Sequence, residues 1–427
     1  MRRDCAVAGC VADASPANTM IHPMAFARTF PLSPIRSPAA LGAALLSALA
    51  AGCSAPPAAV VTQAPVSDYS VASGSVVGNK FVGSVASDDA QAGQVARSIL
   101  QQGGTAVDAA VAAGFALAVT QPARAGLGGG GVCLATTRDR GPVRLDFRPQ
   151  PLPDGRMAPM LVRGLALLHA DGGTRRWTEL VAPAERLARF GVAVPPRLAA
   201  DIAAAPERAA ALPALAGAAV GATAVQPELG AALAAVRQHG ADAYVTGPLA
   251  AALAETGLPP EALRPLRPGF QPVAPQPVGD LRLVLSDPAD LGAAPAADAA
   301  DAAPAATVAV LDSDFRGVAC RFTLGAPFGD GLARPGLGFP LAAGGGGAGG
   351  VALAVSADGR NAGAAAAADD PSALRLITSI RDAAALGAAY GSGGATASLA
   401  VCFPLASGAF DCVAEADRRG GFAGLAK

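Results

Sequence analysis

The sequence predicts a mixed α/β (α+β) fold, and three observations carry that expectation. The chain of 427 residues is 52% hydrophobic and 15% charged, which supplies apolar material for a large core. Apolar residues recur at helical spacing over 88–102 and again over 106–119. Two strand-like runs, 132–136 and 143–147, then follow a glycine-rich stretch.

Each element has a local reason. Over 88–102, Val95, Ile99 and Leu100 mark one face. Asp88 and Asp89 are expected in the first turn, facing the positive end of the helix dipole, and Gly103-Gly104 ends the helix. Thr105 is placed to cap the next helix, with Asp108 three residues on as in a capping box. The segment 106–119 is apolar nearly all round, so a buried helix is expected there, stopped by Pro122. Gly128, Gly129, Gly130 and Gly131 follow, a run that lets backbone approach backbone or a ligand. A tight turn in a scaffold is its plainer meaning.

Composition narrows the function. The chain carries 32 basic and 33 acidic residues for a net charge of −1, has no basic block, and is 4% aromatic. Nucleic acid calls for a basic footprint and stacking aromatics, so no nucleic-acid partner is expected. His22, His169 and His239 lie far apart and no Cys/His group has metal spacing, so no metal site is expected.

The N-terminus reads as an export signal. An apolar run at 39–51 follows Arg28 and Arg36 and ends in Gly52-Cys53. It is shorter than the roughly 20 residues a membrane-spanning helix needs. The stretch Leu49-Ala50-Ala51-Gly52-Cys53 resembles a bacterial lipobox, which implies lipidation at Cys53, a membrane contact through that anchor, and a periplasm-facing place in the cell envelope. An ordinary secretory signal is the alternative. Met24 is a more typical start than Met1, which makes 1–23 a misassigned leader. The domain plan is then a signal over 1–53, a Pro/Ala/Ser tether over 54–75, and one domain over 76–427. Four cysteines follow Cys53. Cys402 and Cys412 flank a turn-like segment, read either as a local disulfide or as two separate strand cysteines.

Ordered motifs then make a resemblance specific. The string GGTAVDAAVAAGFALAVTQPARAGLGGGGVCL, with LDFRPQP after it, is similar to the γ-glutamyltransferase (γ-glutamyltranspeptidase) family. So are APMLVRGL at 158–165, WTELVAPA at 177–184, QPEL at 226–229 and ADRRGG at 416–421, the last resembling the family's final strand. The resemblance runs over about 80–427 with gaps. It implies an αββα four-layer sandwich of the N-terminal-nucleophile hydrolase type, no metal or organic cofactor, and relatives that cleave γ-glutamyl amides. It also implies that Arg148 holds a substrate carboxylate, a task suited to a guanidinium fork.

The same resemblance locates losses. The family's nucleophile is a threonine freed by self-cleavage at the start of a strand, its own amine acting as base. Aligned on Asp312, Ala305 occupies the nucleophile position, Ala306 the next threonine and Thr307 the histidine after it. Thr307 would lie on the same face as Ala305 but about 6.6 Å along the strand. Thr323 matches an active-site threonine, while Gly325 replaces an asparagine. Ala342, Ala343 and the glycines 344–347 stand where substrate-amine ligands belong, and 359–370 replaces the oxyanion glycine pair. The stretch 287–306 is low-complexity and reads as a loop. The implied protein is an uncleaved, catalytically silent relative that binds at most a small γ-glutamyl or amino-acid ligand. Two readings stay beside it. One is an active γ-glutamyl hydrolase or transferase with its nucleophile relocated to Thr307. The other is a structural or interaction protein of the envelope.

Overall fold

The structure is a computed structural model that describes residues 70–76, 81–136, 141–278, 281–286, 304–344, 350–356, 362–367, 397–404, 410–416 and 421–426. All of them fall within one compact unit, Ala64–Lys427. In chain order the elements begin with β1 (Ser70–Val76), β2 (Gly83–Ser87), α1 (Ala90–Gln101), α2 (Ala106–Thr120), β3 (Gly130–Ala135) and β4 (Val143–Phe147). A mostly helical stretch follows: β5 (Gln150–Pro151), β6 (Met157–Ala158), α3 (Leu161–Gly172), α4 (Trp177–Phe190), β7 (Val192–Ala193), α5 (Pro196–Ala204), α6 (Pro206–Ala209), β8 (Thr223–Ala224), α7 (Pro227–His239), α8 (Gly247–Glu255) and α9 (Pro260–Leu263). The remainder is strand: β9 (Gly269–Pro272), β10 (Gln276–Val278), β11 (Leu281–Leu285), β12 (Ala305–Asp312), β13 (Gly317–Thr323), β14 (Val351–Ser356), β15 (Ala362–Ala367), β16 (Ala397–Pro404), β17 (Phe410–Ala416) and β18 (Phe422–Ala426).

Among the described residues the strands form two seven-stranded antiparallel sheets. One runs β18-β2-β12-β13-β3-β4-β9 and the other β1-β17-β16-β15-β14-β11-β10. The two sheets pack face to face through β12 and β13 against β15 and β16. Helices α1 to α3 cover the outer face of the first sheet, and α4 packs behind them against α2. Alternation along each strand sorts its side chains between the two cores. On β12, Ala306, Val308 and Val310 face the helices, while Ala309 and Leu311 face the other sheet.

Helix α2 is buried along its whole length, as its uniform apolarity requires. Its capping box is present: the Asp108 amide donates to Thr105 Oγ1 at 3.2 Å, and the Thr105 amide donates to Asp108 Oδ2 at 3.0 Å. The Ala106 amide donates to Asp312 Oδ2 at 3.0 Å, tying the helix start to the end of β12.

Several expectations need correction. Asp88 and Asp89 precede α1 rather than sitting in its first turn. Asp89 is the N-cap, accepting from the Gln91 and Ala92 amides, each at 2.9 Å. Burial pushes the Asp89 carboxyl up, against those hydrogen bonds. Residues 70–75, expected in the tether, pair with β17, because strand formation there is decided by the partner edge and not by the weak signal of SVASGSV. Residues 305 and 306, expected in a loop, begin β12; 287–303 lie outside the described residues. Of the segment resembling a final strand, 416–421, Ala416 ends β17 and 417–420 lie outside the described residues. Cys53 and the signal segment lie outside the described residues, and among those described no helix is long and apolar enough to cross a membrane.

Candidate active site

The centre of the first sheet carries the residues where chemistry was expected. Ala305 opens β12 and is fully buried. It pairs with Thr323 on β13, which pairs with Gly130 on β3. Gly131 pairs with Phe147, so Arg148 continues the same row beyond Gly130. At about 4.8 Å per strand, the backbones of Ala305 and Arg148 are roughly 14 Å apart.

At the head of the row there is no reactive group. Ala305 offers a methyl. Thr323 Oγ1 donates to the Pro304 carbonyl at 3.2 Å and accepts from the Gly325 amide at 3.0 Å. Its hydroxyl therefore holds the carbonyl just ahead of the nucleophile position. Gly325 has φ +80°, and a Cβ built there would lie 2.7 Å from the backbone of Gly344. The chain has closed over the place of the family's asparagine, so the asparagine could not return without moving Gly344. Of the glycine stretch, 345–347 lie outside the described residues, as do 359–361 and 368–370; residues 362–367 form β15.

Thr307 lies two residues further along β12 and is fully buried between the sheets. Its amide is an ordinary peptide N–H donating to Asp88 Oδ2 at 2.8 Å. Its hydroxyl is 2.8 Å from Ser398 Oγ on β16, and Ser398 Oγ donates to Asp88 Oδ1 at 3.3 Å. Because Ser398 has one proton to give, the Thr307 hydroxyl is the donor to Ser398. Arg197 of α5, 1% exposed, faces the same carboxylate with Nη1 3.4 Å from Asp88 Oδ1. Asp88, Thr307, Ser398 and Arg197 thus form a buried polar knot joining both sheets to the helical layer. Sequence reasoning missed it, because its members come from four separate segments with no shared local pattern.

The glycine run serves the scaffold. A Cβ on Gly128 would lie 2.0 Å from the Pro340 carbonyl oxygen, and one on Gly130 would lie 2.0 Å from that of Phe147. Gly129 and Gly131 crowd the carbonyls of Thr323 and Arg321 in the same way. The Gly129 carbonyl accepts from the Met160 and Leu161 amides at the start of α3 (2.8 and 3.0 Å), and the Gly128 carbonyl accepts from the Ala342 amide (3.1 Å). The Leu127 carbonyl accepts from buried Tyr244, whose hydroxyl burial pushes to a higher pKa.

Arg148 stands at the far end of the row with its side chain 43% exposed and its fork turned onto Asp146, Nη2 to Oδ2 at 2.7 Å. Arg144 also reaches Asp146, at 2.8 Å. Burial pushes the Asp146 carboxyl up, but the Arg148 hydrogen bonds and the two guanidinium charges outweigh it and hold the carboxyl below its ordinary range.

Two disulfides lie in the sheets. Cys402–Cys412 joins the register partners of β16 and β17, the local pairing considered from sequence. Cys133–Cys320 joins β3 to β13 across 187 residues. Among the described residues, no group of three His, Cys, Asp or Glu side chains could hold a metal.

The γ-glutamyltranspeptidase family model matches residues 92–151 and 157–257, a span that ends before β12. The glutathione hydrolase proenzyme of Escherichia coli (strain K12) is 39% identical over 143 residues, 28% of this chain and 25% of that protein. That of Bacillus subtilis (strain 168) is 31% identical over 206 residues, 41% of this chain and 35% of that protein. The matches therefore cover about a quarter to a third of these relatives' length. Among solved structures, the cephalosporin acylase from Bacillus halodurans superposes with a TM-score of 0.63 at 15% identity, covering 83% of this chain and 96% of the other. This likeness is one of fold, and the architecture is the α/β sandwich of the N-terminal-nucleophile hydrolases.

Proposed function

Given that this chain belongs to the γ-glutamyltranspeptidase family, we propose that it is a catalytically silent member: uncleaved, lipid-anchored in the bacterial envelope, and limited to binding a small ligand. The observation that carries this reading is Ala305 at the nucleophile position, buried and opposite Thr323. Losing a nucleophile costs on the order of 10⁶ in kcat in the serine-protease case.

Thr307 does not stand in for it. Self-cleavage ahead of Thr307 needs its hydroxyl on the Ala306 carbonyl carbon, whereas that hydroxyl donates to Ser398 and the Thr307 amide donates to Asp88. A hydroxyl–Ser398–Asp88 relay could accept a proton, but no substrate reaches a fully buried side chain. The two disulfides support an oxidising, exported setting, which agrees with the lipidation proposed at Cys53.

The test is hydrolysis of a γ-glutamyl anilide by the purified chain. Release of the aniline should match the enzyme-free blank, and Thr307→Ala should leave it there. Turnover that Thr307→Ala abolishes would establish the relocated-nucleophile reading instead.

A further inference from the structure

Beside the silent centre, the edge of the first sheet carries a second feature. Strands β4 and β9 pair with Arg144 opposite Gln271 and Asp146 opposite Gly269. Leu145 and Phe147 point into the helical core, with Phe270 packed against it. By alternation Arg144, Asp146, Arg148 and Gln271 share the other face. There Asp146, Arg148 and Gln271 border a cleft of about 620 Å³, lined also by Gln150, Arg267 and Phe270.

Its charges do not balance. Asp146 is the lone carboxylate among the lining residues, and Arg144 and Arg148 already share it. Arg267 lines the same cleft, is exposed, and among the described residues forms no ion pair; its guanidinium donates to main-chain carbonyls, that of Leu266 at 2.9 Å. Two lining guanidinium groups, Arg148 and Arg267, against one carboxylate leave a net charge of +1, and Arg144 adds its charge to Asp146 from outside the lining. Gly269 keeps the space above Asp146 open, since a Cβ there would meet nothing within 4 Å.

We propose that this cleft binds a small oxyanion, a carboxylate or a phosphate monoester, with Arg267 as the group that takes it. Planar guanidinium donors suit both head groups. Arg148, whose fork is turned onto Asp146, forms a positive wall of the cleft, and the amides of Gln150 and Gln271 offer neutral polar contacts. The inference rests on the reading of the chain as a binding member and not a catalytic one.

Glutarate and inorganic phosphate, titrated separately by calorimetry at low ionic strength, test it. At least one should bind, more weakly as salt rises, and the stronger of the two identifies the head group. Arg267→Gln should weaken binding about tenfold or more, the scale of losing a hydrogen bond to a charged group. Gly269→Val, which fills the cleft on an edge strand whose backbone tolerates a side chain, should abolish binding while unfolding as the parent does. Failure of the parent to bind either anion, or unchanged binding by Arg267→Gln, overturns the proposal. The mass of each sample after reduction separates the two readings. An intact chain that binds neither anion contradicts the site alone, whereas a cleaved chain that binds contradicts catalytic silence alone.

Discussion

Asp88→Ala should destabilise the fold by about 3–5 kcal/mol, the cost of removing one partner from a buried charge pair. The carboxylate accepts the Thr307 amide at 2.8 Å and Ser398 Oγ at 3.3 Å, and it faces the guanidinium of Arg197, which is almost fully buried. Ser398→Ala removes one hydroxyl from the same knot and should cost only about 1 kcal/mol. Urea denaturation of the two variants compares them directly. Similar, small losses for both would mean that the Asp88 charge does not govern the knot. The contrast also bears on function: a threonine fixed in a structural knot is unavailable as a nucleophile.

The second large effect concerns the disulfides. In the loop-closure estimate, a bridge across 187 residues is worth about 5 kcal/mol, and one spanning 10 residues about 2.7 kcal/mol. Replacing Cys133 and Cys320 together by alanine should therefore cost about twice as much as replacing Cys402 and Cys412 together. Equal losses, or a larger one for the short bridge, would contradict the chain-entropy account. The long bridge has a further consequence. Cys133 precedes Ala305 and Cys320 follows it, so the bond spans the point at which a self-cleaving relative would be divided.

How far the sequence could be read follows from the reach of each signal. Helix α2 was legible because its cap lies in Thr105 and Asp108, three residues apart, and its burial lies in its own apolarity. The Cys402–Cys412 pair was within reach for the same reason, as its ten-residue separation invites a hairpin. The substitution at Ala305 was legible only through the motif around it, anchored on Asp312. The Cys133–Cys320 bridge and the Asp88–Thr307–Ser398–Arg197 knot were not legible, because a partner 91 or more residues distant leaves no mark on local pattern. Asp88 shows the limit most clearly. Its sequence position beside a helix start suggested a dipole contact, while the fold directs its carboxylate into the space between sheets. Strand β1 failed differently: SVASGSV has little strand character, and its pairing comes from the edge of β17.

The central claim is that no self-cleaving nucleophile exists at the start of β12. The most direct measurement is the intact mass of the purified chain after prolonged incubation at neutral pH, taken after full reduction. Reduction is essential, because the Cys133–Cys320 bond would hold the two pieces of a cleaved chain together. The account predicts a single full-length mass. Two fragments, the second beginning at Thr307 or at its neighbours in β12, would contradict it.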